Sequence, residues 1–269
     1  MSFVTLSPWD VAAAALLMLA LAGLSRQARL GVERELLVSA ARMVVQLVLL
    51  GLVLELLFAR ARLVWVAAMA LGMLALAGRE AVARQERRFR GAAGYLIGTA
   101  AMFVSSFALC TLTLVVLIRA EPWYAPQYAI PLLGMILGNT LTGVSLGLER
   151  LTQNAWEQRD VIEQRLLLGE TASQALVDIR RHAARSGLIP IINAMAVAGV
   201  VSLPGMMTGQ ILAGAPPAQA VKYQLLIMFL ISAGTGFGTL AALELGARRL
   251  FDERARLRLE RLAVRPSSR

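Results

Sequence analysis

Polar side chains that could do chemistry are scarce in this sequence, and two of them lie inside one long apolar stretch. Arg42 and Gln46 stand four residues apart within residues 36–58. In a helix this spacing places both side chains on one face, where they can meet an anionic ligand or a carboxylate of another helix. A structural hydrogen-bonded pair, or an Arg42 side chain that reaches out of the apolar layer, is the competing interpretation.

A second group of candidates surrounds a helix-breaking pair. Pro204 removes a backbone hydrogen-bond donor and Gly205 loosens the helix. The freed carbonyls must be satisfied by neighbours or by a water-filled cavity, so the break predicts a translocation path, which Arg42 and Gln46 would share. Met206 and Met207 add thioether ligands that suit copper(I) better than iron, with packing as the competing interpretation.

Three further polar residues lie within apolar stretches. Asn139 follows Gly134 and Gly138, whose spacing lets another helix approach while the amide bonds across the contact. Helix packing is the first interpretation of Asn139, and lining of the path is the second. Glu55 and Glu244 lie near the ends of their stretches, where an anchor among lipid headgroups is favoured over a metal or proton site.

Catalytic and metal-binding equipment is sparse. The sequence has one histidine, His182, one cysteine, Cys110, and no clustered carboxylates. Few side chains are therefore available for catalysis, and the ligands of any bound metal are unknown. A phosphate-binding P-loop needs Gly-Lys, but the sole lysine, Lys222, follows Val221. The chain is therefore expected to be no enzyme, to hold no cofactor of its own and to leave ATP to another polypeptide.

The elements that position these residues are predicted to be membrane-spanning helices. Of the 269 residues, 58% are hydrophobic and only 16% are charged, and the mean hydropathy is +0.65, which is too apolar for a soluble domain. A bilayer core needs about 20 apolar residues as helix. The sequence therefore predicts an all-α, polytopic membrane protein, a single domain over residues 1–269, with about seven spans. These are residues 8–24, 36–58, 63–78, 92–118, 129–148, 188–212 and 223–246.

The basic residues predict the orientation, because basic loops resist translocation. The segments after spans one, three, five and seven hold 3, 5, 6 and 8 Lys or Arg residues. The opposite side holds Arg60, Arg62, Arg119 and Lys222. The N-terminus is thus expected outside and the C-terminus in the cytoplasm. The net charge of +10 is interpreted as this topology signal and not as a nucleic-acid site.

The one long polar segment, residues 149–187, is predicted to form two short helices on the cytoplasmic side, residues 156–168 and a second after Thr171. Thr171 and Gln174 have the spacing of a capping box. The second helix carries an apolar face in a helical period, which predicts either a helix on the membrane surface or a docking face for another protein. The face consists of Ala172, Ala175, Leu176, Ile179 and Ala183.

The same segment resembles the cytoplasmic coupling motif of ABC-transporter permeases. The likeness rests on Glu163, on Gly169 six positions later, on the run from Glu170 to Gln174, and on Ile179. Arg181-His182 stands where many importer permeases have Leu-Pro, so the fit to the general motif is partial. The resemblance implies contact with a separate ATPase subunit. The residues implied in this coupling are Glu163, Gly169, Thr171, Gln174, Leu176 and Ile179.

The flanking stretches are similar to the FetB-type permeases, which are bacterial iron-export permeases related to plant aluminium-tolerance membrane proteins. The matching residues are Pro131, Gly134, Met135, Gly138 and Asn139, the run from Ser202 to Gly209, Ala213-Gly214 and the run from Lys222 to Gln224. The resemblance implies a permease homodimer in the bacterial inner membrane with two ATPase subunits, exporting iron or a related metal.

Two other functions remain as alternatives. A proton-coupled secondary transporter of a metal or small solute would relay charge through Arg42, Glu55 or Glu244. A membrane-embedded enzyme or assembly factor is the other, and the sparse catalytic equipment disfavours it. Neither the cargo nor the direction of transport follows from the residues alone.

Overall fold

The fold is almost entirely helical, in a computed structural model that describes residues 7–59 and 61–264. Arg60, Arg265 and Arg269, which entered the count of basic residues, lie outside these ranges. The helices are α1 (Pro8–Gln27), α2 (Glu33–Ala59), α3 (Leu63–Ala83), α4 (Ala93–Met102), α5 (Ala108–Leu112), α6 (Pro126–Glu157), α7 (Arg159–Leu167), α8 (Ala172–Ala175), α9 (Val177–Val197), α10 (Gly205–Leu212) and α11 (Pro217–Arg249). Two short strands, β1 (Arg87–Phe89) and β2 (Leu262–Val264), complete the regular structure.

Among the described residues, six helical stretches are long and apolar enough to cross a membrane. They confirm the membrane class and six of the predicted spans. The seventh, residues 188–212, is not one helix. Its first part belongs to α9, a break follows at residues 198–204, and α10 forms the remainder. Gly199, at φ +81°, and Pro204 cause this break, because the first leaves the right-handed helical conformation and the second lacks a donor.

The described residues divide into two compact units. The first contains α1, α2 and Leu212–Gly214. Ser7 and Asp10 form a reciprocal capping box at the start of α1, in which the Ser7 backbone N–H donates to the Asp10 carboxylate at 2.8 Å. Most side chains of α1 and α2 are exposed apolar residues, as expected of helices that face lipid.

The second unit is built around close contact between α6, α9 and α11. A Cβ on Gly187 of α9 would lie 2.6 Å from the Gly143 carbonyl oxygen of α6 and 2.7 Å from the Thr239 Cγ2 of α11. Only residues without a side chain, or with a small one, allow this approach. The backbones of α6 and α9 are therefore in contact, and α11 packs against both through its threonine side chains.

Further contacts give the direction of each helix in the second unit. Gly143 of α6 meets Thr235 and Thr239 of α11, and further along α6 Gly147 meets Thr239 and Leu243, so α6 and α11 run parallel. By contrast, Gly143 of α6 meets Gly187 of α9, whereas Gly147 meets the earlier residue Ala183, so α9 runs antiparallel to both. If α6 and α11 both cross a membrane, the chain between them must cross it an odd number of times, and α9 is the helix between them that runs in the opposite direction.

The sequence analysis did not recognise the full length of α9, because the first half of this helix is charged. The helix begins at Val177, inside the segment expected to be cytoplasmic, and continues without interruption to Val197. The predicted short second helix after Thr171 is thus α8 followed by the first turns of a helix that also crosses the unit. The other predicted helix, residues 156–168, is also corrected, because α6 extends to Glu157 and α7 begins at Arg159.

Within the second unit, α3 and the helical rod that begins with α4 pack beside α6, α9 and α11. Gly78 of α3 lies against Tyr95 and Thr99 of α4. From α4 the chain continues as one rod over Ala93–Ile118, with π-helical turns at Phe103–Phe107 and Thr113–Ile118. Hydroxyl groups such as that of Ser105, which donates to the Ala101 carbonyl at 2.9 Å, satisfy carbonyls along this rod.

One end of the second unit is held by a small sheet that the sequence did not predict. β1 and β2 pair antiparallel, with Phe89 opposite Leu262. Beside them the Thr152 hydroxyl donates to the Arg87 carbonyl at 2.8 Å, and the Glu86 backbone N–H donates to the Glu149 carboxylate at 2.7 Å. These contacts bring residues 84–90, 149–185 and 248–261 together, and this part is called the arginine-rich end below.

The apolar face of α8 and α9 packs inside the chain at the arginine-rich end. Leu176 is 1% exposed, and Ala175, Ile179 and Ala183 are also buried. They belong to one core cluster with side chains of α6 and α11. The expectation of a free docking face on this helix is therefore wrong, because the bundle itself covers the face.

Replacing Gly187 by alanine is expected to destabilise the protein by about 1–3 kcal/mol, because the new Cβ meets backbone atoms that cannot move aside cheaply. Gly72→Ala in α3 is the matched control, since nothing lies within 4 Å of a Cβ built there. Thermal unfolding of both purified variants in detergent measures the difference. Equal melting temperatures would show that the backbones of α6 and α9 are not in contact.

Leu176→Ala is expected to cost about 2–5 kcal/mol, the usual range for a leucine truncated in a core. Leu167→Ala, at a leucine that is 88% exposed, is expected to leave the melting temperature within about 1 °C of the parent, since exposed truncations usually cost little. If the two variants unfold at the same temperature, the burial of the α8 and α9 face is wrong.

Candidate functional site

The residues implied in coupling surround a turn at the arginine-rich end. This turn, Leu167–Thr171, is called the α7 tip. Leu167 and Leu168 are 88% and 85% exposed, which is unusual for two adjacent leucines of a polar segment. Glu163, on the preceding helix, is also exposed. The α7 tip therefore presents an apolar surface on an otherwise charged end of the protein.

The sequence fixes the conformation of the α7 tip from one side through Gly169. This residue has φ +92°, which favours glycine because it has no Cβ. The Gly169 N–H donates to the Leu166 carbonyl at 3.0 Å, and the Glu170 N–H donates to the Arg165 carbonyl at 3.1 Å. This is the Schellman pattern that ends many helices, and it leaves Leu167 and Leu168 at the outer edge.

The predicted capping box fixes the other side of the α7 tip. The Thr171 N–H donates to the Gln174 side-chain oxygen at 2.8 Å, and the Gln174 N–H donates to the Thr171 hydroxyl at 3.3 Å. This confirms the capping box predicted from the sequence. Gly169, Thr171 and Gln174 thus shape the tip, whereas Leu176 and Ile179 lie in the core behind it.

Two shared carboxylates link helices at the arginine-rich end, one between α7 and α9 and the other between α9 and α11, and the sequence analysis missed both networks. Asp178 of α9 contacts Arg165 of α7 at 3.0 Å and Arg181 at 3.6 Å. Single surface pairs of this kind contribute little to stability, but a carboxylate held by two arginines fixes the relative position of two helices. The signal that could have found this network is one acid, Asp178, among several arginines.

The second network joins α9 to α11. Glu244 contacts Arg180 at 3.1 Å and Arg248 at 2.8 Å, while the Arg180 guanidinium also donates to the Ser173 hydroxyl at 3.3 Å. The structure gives Glu244 two cationic partners, and its expected role as an anchor among headgroups stays a prediction. A movement of α7 would therefore act on α9 through the Arg165–Asp178 ion pair. From α9 it would act on α11 through the Arg180–Glu244 ion pair.

Asn139 does not make the contact predicted for it. Its side chain is exposed and donates to the Met135 carbonyl of its own helix at 2.8 Å. The close contact between helices lies one turn further along, at Gly143. The expected hydrogen bond across a helix contact is therefore wrong within this chain, and Asn139 remains a polar group on an exposed face.

The candidates near the helix break lie together. Pro204 precedes α10, whose first residues are Gly205, Met206 and Met207, and the two methionine side chains are partly buried. The Thr208 hydroxyl donates to the Pro204 carbonyl at 3.2 Å, which satisfies one acceptor beside the break. Their role in a translocation path stays a prediction.

Arg42 and Gln46 lie on α2, within the first unit, and both side chains are exposed. Their separation of four residues within an unbroken helix places them on one face, as predicted. Within residues 7–59 and 61–264, no group of three or more His, Cys, Asp or Glu side chains could hold a metal ion. A role for Arg42 and Gln46 in the path also stays a prediction.

Known proteins similar to this chain are membrane proteins from bacteria and plants. "UPF0014 membrane protein slr1647" from Synechocystis sp. is 39% identical over 232 residues, which cover 85% of this chain and 87% of the relative. "Probable iron export permease protein FetB" from Escherichia coli is 33% identical, covering 87% of this chain and 88% of the relative. "Protein ALUMINUM SENSITIVE 3" from Arabidopsis thaliana is 33% identical, covering 80% and 77%. No solved structure matches the chain.

Family membership agrees with the architecture. The model of the uncharacterised protein family UPF0014 matches residues 8–251, from the start of α1 to just beyond the end of α11. Together with the six apolar helices, this match and these relatives show that the chain is a multi-pass membrane protein. The protein belongs to the UPF0014 family of membrane proteins.

Proposed function

We propose that this protein is the membrane-spanning subunit of an ABC exporter that moves iron or a related metal out of the cytoplasm. In this proposal a separate subunit binds and hydrolyses ATP. The observation that carries it is the α7 tip, where Leu167 and Leu168 stand exposed on a rigid turn at the arginine-rich end. The name of the Escherichia coli relative, a probable iron export permease, supports the cargo.

The α7 tip has the properties of a docking point for the ATPase subunit. Two adjacent leucines supply an apolar anchor, and residues of this type contribute most when they fill a pocket on a partner. Gly169, Thr171 and Gln174 hold the anchor in one conformation, so little flexibility is lost on binding. Glu163, exposed on α7, would lie at the polar rim of the contact.

The ion-pair networks and α9 supply a path for mechanical coupling. A displacement of α7 acts on Asp178 through Arg165, and Asp178 lies on the same continuous helix as Gly187 and Val197. Because Gly187 contacts the backbone of α6, α9 cannot shift without moving its neighbours. The buried side chains of Leu176 and Ile179 would transmit the motion rather than contact the ATPase.

A second copy of the chain would complete the permease. Asn139 is exposed in a stretch expected at membrane depth, and a polar group there is costly beside lipid. A Cβ placed on the neighbouring Gly138 would have nothing within 4 Å, so another helix could approach this face closely. We therefore propose a homodimer with Asn139 at or near the contact.

The proton-coupled alternative has less support from the geometry. Glu244, one of its candidate relays, is held in ion pairs with Arg180 and Arg248, so its carboxylate is already part of the contact between α9 and α11. Glu55 is exposed on α2 among apolar side chains. An ATP-independent flux that follows an imposed pH gradient in vesicles would reverse this preference.

The cargo is tested by the metal content of cells. Cells that overproduce the permease with its ATPase subunit are expected to hold less iron than the parent, and deletion cells are expected to hold more. Copper, manganese, zinc and aluminium measured in the same samples are the comparison. A change confined to one of these metals would refute iron export but keep the transporter, whereas unchanged contents of all metals would count against both.

Truncating the anchor in the double variant Leu167→Ala, Leu168→Ala is expected to reduce ATPase-subunit binding by tenfold or more, since about 1.4 kcal/mol corresponds to a factor of ten. Val200→Ala, Val201→Ala is the matched control, because these valines are similarly exposed, at 88% and 81%, in the break after α9. Co-purification and stimulated ATP hydrolysis are the readouts. A folded leucine variant that binds as well as the control would disprove docking at the α7 tip.

A further inference from the structure

A groove at the arginine-rich end is not used by the proposed exporter mechanism. It lies between the start of α4, the end of α11 and the segment that follows α11, and its volume is about 680 Å³. Its floor is apolar and includes Leu96, Ile97 and Leu245. Leu96 is 60% and Leu245 is 39% exposed, so the floor continues onto the outer surface of the helices.

Three arginines border the groove, and one of them has no described partner. Arg248 is paired with Glu244. The Arg261 guanidinium donates through one nitrogen to the carbonyls of Arg249 and Phe251, at 2.8 and 2.9 Å. Within residues 7–59 and 61–264, the Arg249 side chain makes no hydrogen bond or ion pair. Arg249 and the free edge of Arg261 therefore leave unneutralised positive charge beside an apolar floor.

The acidic residues of the groove cancel only part of this charge. Asp252 accepts the backbone N–H groups of Arg254 and Arg256, at 3.0 and 2.9 Å, and contacts the Arg256 guanidinium at 2.8 Å. The hydrogen bond from the Arg256 backbone lowers the pKa of Asp252 below its ordinary value, so the carboxylate stays ionised and committed to its own turn. Glu253 also lines the groove and is exposed, so it offsets one of the two cationic groups, Arg249 and Arg261, and the groove keeps a positive excess.

The groove lies where the apolar part of the bundle gives way to its charged end, which is the level at which lipid headgroups are expected. Gly246 of α11 packs against Leu148 and Leu151 of α6, where the apolar stretch of α6 gives way to its charged end. Along α11 away from the arginines, Phe237 and Leu240 are exposed, as expected of side chains that face acyl chains. The arginine side chains and the apolar floor of the groove therefore adjoin each other at the level where the phosphate and glycerol of a phospholipid lie.

We infer that this groove binds an anionic phospholipid, with its phosphate between Arg249 and Arg261 and an acyl chain along Leu96 and Leu245. Basic pockets between membrane helices commonly recognise such headgroups. An acidic protein segment could use the same charge, but it would not need an apolar floor that opens towards the bilayer. The inference is independent of the cargo and of the ATPase.

The test is native mass spectrometry of the purified full-length protein with added phosphatidylglycerol or phosphatidylcholine. The parent is expected to retain phosphatidylglycerol preferentially. Arg249→Gln is expected to weaken this retention by about fivefold, the effect of about 1 kcal/mol for one arginine near a membrane surface. Arg254→Gln is the matched control, because Arg254 is exposed in the same segment but does not border the groove.

Three results would overturn the inference. One is equal retention of phosphatidylglycerol by the two variants, and another is equal retention of the two lipids by the parent. The third is a rise in melting temperature with inorganic phosphate that matches the rise with phosphatidylglycerol, since phosphate alone cannot use the apolar floor. Loss of ATPase-subunit binding in Arg249→Gln with unchanged lipid retention would assign the groove to a protein partner instead.

Discussion

The contact on which the rest of the structure depends is the meeting of α6, α9 and α11 at Gly143, Gly187 and Thr239. In lipid, helices gain little from the hydrophobic effect when they associate, so close backbone packing must supply the attraction. The same contact sets the directions of the three helices. It places α9 antiparallel to α6 and α11 along its length despite its charged first half, and it connects the arginine-rich end to the apolar part of the bundle.

Around this contact the arginine-rich end forms a compact cap. The buried face of α8 and α9, the β1 and β2 pair and the shared carboxylates Asp178 and Glu244 leave little freedom for independent motion. The α7 tip projects from this cap, whereas the Arg249 groove lies on its membrane-facing flank. In our account one surface receives mechanical work from an ATPase and the other holds the cap against the lipid headgroups.

The long apolar stretches of the sequence predicted most of the fold, because α2, α6, α11 and the Ala93–Ile118 rod are each long and apolar enough to cross a membrane. They located α9 only in part, since Asp178, Arg180 and Arg181 lower the hydropathy of a helix that begins at Val177. The helical period of the apolar residues predicted the face that contains Leu176, but it did not predict which surface packs against this face. The capping box at Thr171 was predictable because its partners are local. The exposed leucines, the ion pairs and the three-residue strands depend on tertiary contacts.

The central claim is that α9 carries the chain across the membrane, so that the α7 tip and the break at residues 198–204 lie on opposite sides. The direct measurement is labelling of single cysteines with a membrane-impermeant maleimide, in a Cys110→Ser background. Our account predicts that Val200→Cys reacts in cells whose inner membrane is intact, and that Leu167→Cys reacts only after that membrane is permeabilised. Labelling of both positions from the same side would contradict it.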